Sequence, residues 1–508
     1  MKSRHRRPAP CRKAGASACR ASRAFTRPIL SPGNRFNWYA AEPVIPVPGL
    51  PLPVPRPSPC ARRCRPAPRR TDSAAARRPS PERPYPLRDH HAPRGTGLRP
   101  GLLPLLAATC GIAVANIYFP QAISPLAADG LGVSPGAAAA AVIATQFGYA
   151  LGLFLLVPLG DRVPHRRLIP LLLAVTGIGL LAAGSAPGLP ALVAAGALTG
   201  AATVVPQIVI PMAAGLVPDD RRGAVTGTLL SGLVAGILLA RTFGGSLGQW
   251  LGWRAPYYAA ALLAALLAAV LRRALPDTAP ASRERYASLV AAAPRLLREE
   301  PELRRSCWYQ AAVFGGFSAA WTSIALYLTG PAYGLGSQAV GLVALAGAGS
   351  VLCTPLAGRR VDRHGPDPVS AVCLLGTLAA TGVLSLGALR GAPGLVALTL
   401  GALLLDAAMQ SGQVAHQARV FSLRPEARGR LNTAYMTCAF LGGGLGSWLG
   451  VRAFALLGWP GVTGLAALLA ALPLAHLAHL ARRARRARRA SPGHRAARAP
   501  ERAGAREG

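Results

Sequence analysis

Ionisable side chains are scarce inside the long apolar stretches of this chain, and the few that occur there limit the chemistry it can do. Asp406 is the one carboxylate well inside any apolar run. A charge in hydrocarbon is costly unless it faces protein or water. Asp406 therefore reads as a proton carrier or a counter-charge for a substrate, against the plainer alternative of a protonated acid hydrogen-bonded between helices. Arg241, in a different run, can pair with Asp406, meet an anionic substrate or snorkel to an interface. Gln410, Gln413, His416 and Gln417 follow Asp406 at spacings of three and four, which return to one helical face. Such a polar stripe lines a watery path or joins helices by hydrogen bonds. Asn116, Gln121, Gln207 and Gln310 are further amides that need partners away from water. The reading is thus Asp406, Arg241 and His416 as proton or charge carriers, and Asn116, Gln121, Gln207, Gln310, Gln410 and Gln413 as the lining of a substrate cavity. Tyr118, Phe119, Trp308, Phe314, Trp321 and Tyr327 offer aromatic faces to an apolar ligand or form an interfacial belt.

The elements that must position these residues are apolar runs of about twenty residues, long enough to cross a bilayer as helices. They fall near 101–126, 135–159, 168–186, 189–216, 224–248 and 253–275, then near 306–329, 337–357, 368–389, 393–417, 429–450 and 455–480. The expected fold is an all-α polytopic membrane protein with about twelve transmembrane helices. Residues 98–275 form one six-helix bundle, 276–305 a central loop and 306–480 a second bundle. Alternate breaks carry the cations: Arg162, Arg166 and Arg167, then Arg221 and Arg222, Arg272 and Arg273, Arg359, Arg360 and Arg363, and Arg424, Arg428 and Arg430. The intervening breaks are nearly bare, so the arginine-rich loops, the central loop and both tails are expected on the cytoplasmic side of a cell membrane.

Composition agrees once the charge is located. The 508 residues are 51% hydrophobic and only 15% charged, yet carry a net charge of +37. The excess sits in two basic tails, 1–97 and 481–508, both expected to be disordered. An alternative reading places the true start downstream at a non-methionine start codon, at Val54, Leu87 or Leu98, because no methionine follows Met1 before Met212. The basic excess does not read as nucleic-acid binding, because no folded basic face with interleaved aromatics or known module accompanies it. Cys60 and Cys64 match no standard zinc spacing. No G-x-x-x-x-G-K-[ST] phosphate loop occurs, so no cofactor, metal or ATP-driven pump is expected, nor an enzyme.

The two halves also repeat. Arg222-Gly223 matches Arg428-Gly429, Gly252-Trp253 matches Gly458-Trp459 and Gln207 matches Gln413, each 206 residues apart (428 − 222 = 458 − 252 = 413 − 207). A charged hinge, Val157-Pro-Leu-Gly-Asp161-Arg162-Val-Pro-His165-Arg166-Arg167, follows the second run, and Leu356-Ala-Gly358-Arg359-Arg360-Val-Asp362-Arg363-His364-Gly365 follows the eighth. A six-plus-six bundle with this duplicated hinge resembles the major facilitator superfamily over residues 98–480. Asn116-Ile-Tyr-Phe-Pro-Gln121 and the stretch from Arg424 to Met436 are similar to bacterial drug- or sugar-efflux permeases of that family. The resemblance implies alternating access, with Asp161, Arg162 and Arg166 and a second copy at Asp362 and Arg363 as a conformational latch. Four features depart from the family pattern: Val157 and Pro164 stand at hinge glycines, Gly196 at a fourth-helix arginine, and Ile237 at a fifth-helix proline.

The expected function is a monomeric secondary transporter of a small molecule, proton-linked and exporting. The alternatives are uptake or facilitated diffusion, or a non-transporting sensor or anchor whose basic tails bind anionic lipid or nucleic acid.

Overall fold

The computed structural model describes residues 101–490 apart from 279–281, 283, 425 and 426. The expectations for residues 1–97 and 491–508 lie outside the described residues. Every regular element among the described residues is helical. The first half holds α1 (Leu102–Leu131), α2 (Pro135–Leu155), α3 (His165–Gly184), α4 (Leu189–Ala202), α5 (Val205–Gly215), α6 (Asp219–Leu251) and α7 (Ala255–Ala274). The second holds α8 (Tyr286–Glu299), α9 (Pro301–Thr329), α10 (Ser337–Ala346), α11 (Cys353–His364), α12 (Pro366–Ser385), α13 (Gly391–Leu423) and α14 (Arg428–Ala490).

Eleven helical stretches are long and apolar enough to span a membrane. The last, α14, leaves helical geometry at Gly458 (φ 64°, ψ −155°). Its contacts with α9 show the reversal. A side chain at Gly442, Gly446 or Gly450 would meet Ala311, Gly315 or Ala319 in ascending order, whereas Ala466 and then His476 return past Gly316 and Tyr309. The described chain therefore makes twelve spans, six before α8 and six after. Gly252, its repeat partner, also has positive φ (85°) and ends α6. Only a residue without Cβ adopts this backbone without strain, so both turns fall on a Gly-Trp pair.

Two spans are broken. The fourth is split into α4 and α5 at Thr203 and Val204, because Pro206 lacks the N–H that would continue the ladder. The eighth is split by a 3-10 turn, Gly347–Leu352, between α10 and α11. In the region 276–305, α8 buries Leu289, Ala292, Ala293 and Leu296 on one face, and α9 begins at Pro301. Arg304 donates to the Leu297 and Arg298 carbonyls at the end of α8, so it closes that helix. Beyond the last span α14 stays helical through Ala490.

The repeat extends to individual bonds. Arg222 Nε donates to the Ala214 carbonyl at the end of α5, and Arg428 Nε donates to the Phe421 carbonyl at the end of α13, both at 3.2 Å. Each ties the start of one span to the end of the span before it. The halves meet tightly on the side of the bare loops. There Thr242 Oγ1 donates to the Gly341 carbonyl (2.9 Å), the Ser337 N–H donates to Gln249 Oε1 (3.0 Å) and Gln146 Nε2 donates to Ser447 Oγ (3.0 Å). On the arginine-rich side they part around a cavity.

Candidate functional site: a cavity between the halves and the charge cluster behind it

The cavity has a volume of about 620 Å³. The first half supplies Leu153, Asp161 and Gln207, and the second supplies Gln413, Gln417 and Asn432. Most of the remaining lining is aliphatic, with His165, Arg428 and Arg430 among it, so the wall offers a few amides and charged groups on a mostly apolar surface. Gln207 comes from α5, which begins anew after the break and so starts at the cavity level. Asn432 Nδ2 donates to Gln207 Oε1 at 3.3 Å, joining the halves across the cavity. Gln207 and Gln413, equivalent in the repeat, both face this space.

The other amides are spent elsewhere. Asn116 Nδ2 donates to Thr203 Oγ1 (3.3 Å), whose hydroxyl donates to the Ala113 carbonyl, so this pair fastens α1 to the break between α4 and α5. Gln410 Nε2 donates to Ser350 Oγ in the 3-10 turn of the eighth span (3.2 Å). Gln310 Oε1 meets His416 Nδ1 at 3.1 Å. The stripe on α13 is thus divided, with Gln413 and Gln417 facing the cavity and Gln410 and His416 facing neighbouring helices.

Behind the cavity, toward the closed side, lies a charge cluster that spans the halves. Arg241 on α6 is only 1% exposed, so its charge is held inside protein and not at a lipid interface. Its Nε donates to Gln121 Oε1 at 3.0 Å. Its guanidinium lies 4.0 Å from the centre of the Trp321 ring, with Tyr118 at 5.1 Å and Phe317 at 5.8 Å. Trp321 Nε1 in turn donates to Asp406 Oδ1 at 2.9 Å. The indole therefore stands between the cation and the carboxylate, stacked by one and hydrogen-bonded to the other, and among the described residues no direct ion pair joins the two. The second carboxylate oxygen lies against Gly347, where an added Cβ would come within 2.8 Å of Oδ2. The eighth span loses its α-helical form where it passes this carboxylate. Gly196, at the fourth-helix position of the missing arginine, packs against the Ala141 carbonyl and Thr145. The buried cation between the halves sits on the fifth span instead.

The hinge residues are differently placed. Asp161 lines the cavity, and its carbonyl accepts from the Ser282 N–H at 2.8 Å. Arg166 pairs with Asp277 at 2.7 Å and donates to the Arg272 carbonyl, so it grips the chain leaving α7. Arg162, Asp362 and Arg363 are exposed and make no ion pair among the described residues. The strong electrostatic ties lie elsewhere. Arg419, 5% exposed, pairs with Asp367 and Glu302, and Arg305 pairs with the same two carboxylates, which binds the loop-side ends of α9, α12 and α13. The segment around α8 then links both halves. Arg424 pairs with Glu299 and Glu300, Arg430 with Glu284, and Tyr286 Oη donates to the Leu155 carbonyl. Arg430 holds the Glu284 carboxyl below its ordinary value by hydrogen bond and charge. Asn432, Arg419 and Asp367 had no mark in the sequence beyond their charge or polarity near a span end.

A two-bundle helical fold around a cavity is now joined by a sequence match: the Major Facilitator Superfamily pattern fits residues 105–350 and 310–506. The chain belongs to that superfamily. An uncharacterized transporter of Escherichia coli, YgaY, is 36% identical over 365 residues, covering 72% of this chain and 92% of the relative. A chloramphenicol resistance protein of Streptomyces lividans is 29% identical over 299 residues, 57% of this chain and 73% of the relative. The solved structure of a bacterial homolog to the human lysosomal transporter Spinster, in an inward-facing and occupied conformation, superposes with a TM-score of 0.53 at 16% identity, over 76% of this chain and 95% of that one. This superfamily member is a multi-pass membrane transporter, and its relatives and fold are not those of enzymes.

Proposed function

We propose that this transporter works by alternating access and exports a small amphipathic molecule in exchange for protons. The observation that carries the reading is the cavity of about 620 Å³ bounded by both halves, mostly apolar, with a few amides and with Asp161, His165, Arg428 and Arg430 also on its wall. That volume suits a drug-sized ligand, and a mostly apolar wall with few polar groups suits an amphipathic one. The similarity to a chloramphenicol resistance protein favours export of such a molecule. By the positive-inside bias the arginine-rich side is cytoplasmic, so the cavity faces inward in a cell membrane and both termini lie inside. The transporter acts as a monomer, since both walls of the cavity come from one chain.

Asp406 carries the proton in this reading. While ionised it balances Arg241 across Trp321, and the cluster helps seal the outer side. Protonation removes the counter-charge and loosens the seal, which lets the halves rock toward the outward-open state. The hinge residues Asp161, Arg162, Arg166, Asp362 and Arg363 then act as the latch of the state in which the cytoplasmic side is closed. Counterflow in proteoliposomes, with and without a pH gradient, tests the coupling. Transport should rise with the gradient in the wild type, and Asp406→Asn should abolish that response. Transport indifferent to the gradient, or a fully coupled Asp406→Asn variant, would sink the proton role.

A further inference from the structure

A second, much smaller cavity lies behind the α13 wall, between α9, α12 and α13, with a volume of about 10 Å³. Gln310, Ser370, Thr377 and His416 are the polar groups that border it. All four are at least nine-tenths buried. Two of them present a polar atom with no protein partner, His416 Nε2 and Ser370 Oγ. A buried imidazole nitrogen and a buried hydroxyl left unpaired each carry a desolvation cost, and native interiors meet it with protein or ordered water. Two such buried atoms on one small cavity point to a shared ligand.

The neighbouring bonds define what that ligand must offer. Gln310 Nε2 faces Met409 Sδ at 4.0 Å, which turns its carbonyl oxygen toward His416 Nδ1 at 3.1 Å. With Oε1 as acceptor, Nδ1 carries the imidazole proton and Nε2 is an acceptor. The Thr377 hydroxyl already donates to the Cys373 carbonyl at 3.0 Å, so it can only accept. The site therefore needs a donor to His416 Nε2 and a partner for the Ser370 hydroxyl. The space admits one water molecule and nothing larger, and a water needs two to four polar partners, about what is present.

We propose that His416 and Ser370 bind one internal water molecule that donates to His416 Nε2, accepts from Ser370 Oγ and has Thr377 Oγ1 as a further acceptor. This water completes a chain from α12 through His416 to Gln310 on α9. It thereby fixes the rotation of α13 three residues from Gln413, which lines the transport cavity. His416 is a positioning residue here, not one that touches substrate.

The test uses the full chain in lipid nanodiscs. A cryo-EM map that resolves ordered water should show one peak within hydrogen-bond distance of both His416 Nε2 and Ser370 Oγ. Selective ¹⁵N-histidine labelling should give a neutral, Nδ1-protonated His416, assigned by its loss in His416→Leu, with an Nε2 resonance that moves in Ser370→Val. That variant fills the space with methyl groups and leaves Nε2 unpaired, so its Tm should fall by several degrees while Ser370→Thr stays near wild type. A dry site predicts the reverse, because Ser370→Val would remove an unpaired hydroxyl and fill a void, raising Tm. No density at the site, a direct Ser370–His416 bond, or a stabilised Ser370→Val variant overturns the proposal.

Discussion

Replacing Arg241 by methionine keeps most of the side-chain volume and removes the charge, and the structure sets the cost. Three contacts go: the stack on Trp321 at 4.0 Å, the hydrogen bond to Gln121 at 3.0 Å and the electrostatic balance of Asp406. A desolvated cation–π contact contributes about 2 kcal/mol. A hydrogen bond from a charged donor contributes about 1.5–3 kcal/mol. These overlap with the largest effect, since removing one member of a buried charge pair costs about 3–5 kcal/mol by leaving the other uncompensated. Arg241→Met should therefore lose about 3–5 kcal/mol, read as a fall of Tm by several degrees in detergent. The decisive comparison is the double variant Arg241→Met with Asp406→Asn. If the penalty comes mainly from an orphaned carboxylate, the second change should restore most of the stability lost in the first. Arg241→Lys should be intermediate, because an ammonium keeps the charge but not the planar stack. A double variant as unstable as Arg241→Met, or an Arg241→Met protein as stable as wild type, would refute the coupling through Trp321.

The other expectations concern the cavity, the turn and the segment between the halves. Gln207→Ala and Gln413→Ala should each raise KM for a transported substrate by about threefold to tenfold, from one lost hydrogen bond, with little change in Tm. Unequal effects of an order of magnitude would show that the repeat-related amides do not act alike. Gly458→Ala places a Cβ at φ 64°, ψ −155° and should cost roughly 1–3 kcal/mol, whereas the same change at Gly464, whose Cβ would meet open space, should not destabilise in thermal unfolding. Arg430 depresses the Glu284 carboxyl, so their link is fully present above the ordinary carboxylate range and is lost as pH falls through the depressed value. A spin label at Ala287→Cys should be more mobile in Glu284→Gln than in wild type at neutral pH, and the two should converge on acidification. Mobility that differs equally at every pH would rule out that ion pair as the cause.

Much of the architecture could be read without coordinates because its cause is local. Twenty-residue apolar runs must be helices in a bilayer, and the charged or bare breaks between them mark where each one ends. The 206-residue offset was visible as letters, and its pairs do equivalent work in the structure: Gly252 and Gly458 make positive-φ turns, and Arg222 and Arg428 cap the preceding spans. The split of the fourth span was not read in advance, since 189–216 looked like one run, and Pro206 explains it only once the structure shows it.

Partnership was a different matter. Asp406 stood out by being alone in hydrocarbon, but Trp321 is 85 residues away and joins it only because α9 and α13 pack together. The spacing on α13 placed Gln410, Gln413 and His416 near one face without showing that two of them turn to α9 and the eighth span while Gln413 faces the cavity. The charged pairs near the loops, such as Arg419 with Asp367, were equally hidden among many candidates of the same type. What the sequence alone determined is the set of helices, their order and their repeat, since hydropathy, proline, glycine and loop charge act within a few residues. Which polar groups meet, and so which of them line a path and which hold the bundle together, was decided by tertiary structure, because a hydrogen bond depends on angstroms that no one-dimensional spacing encodes.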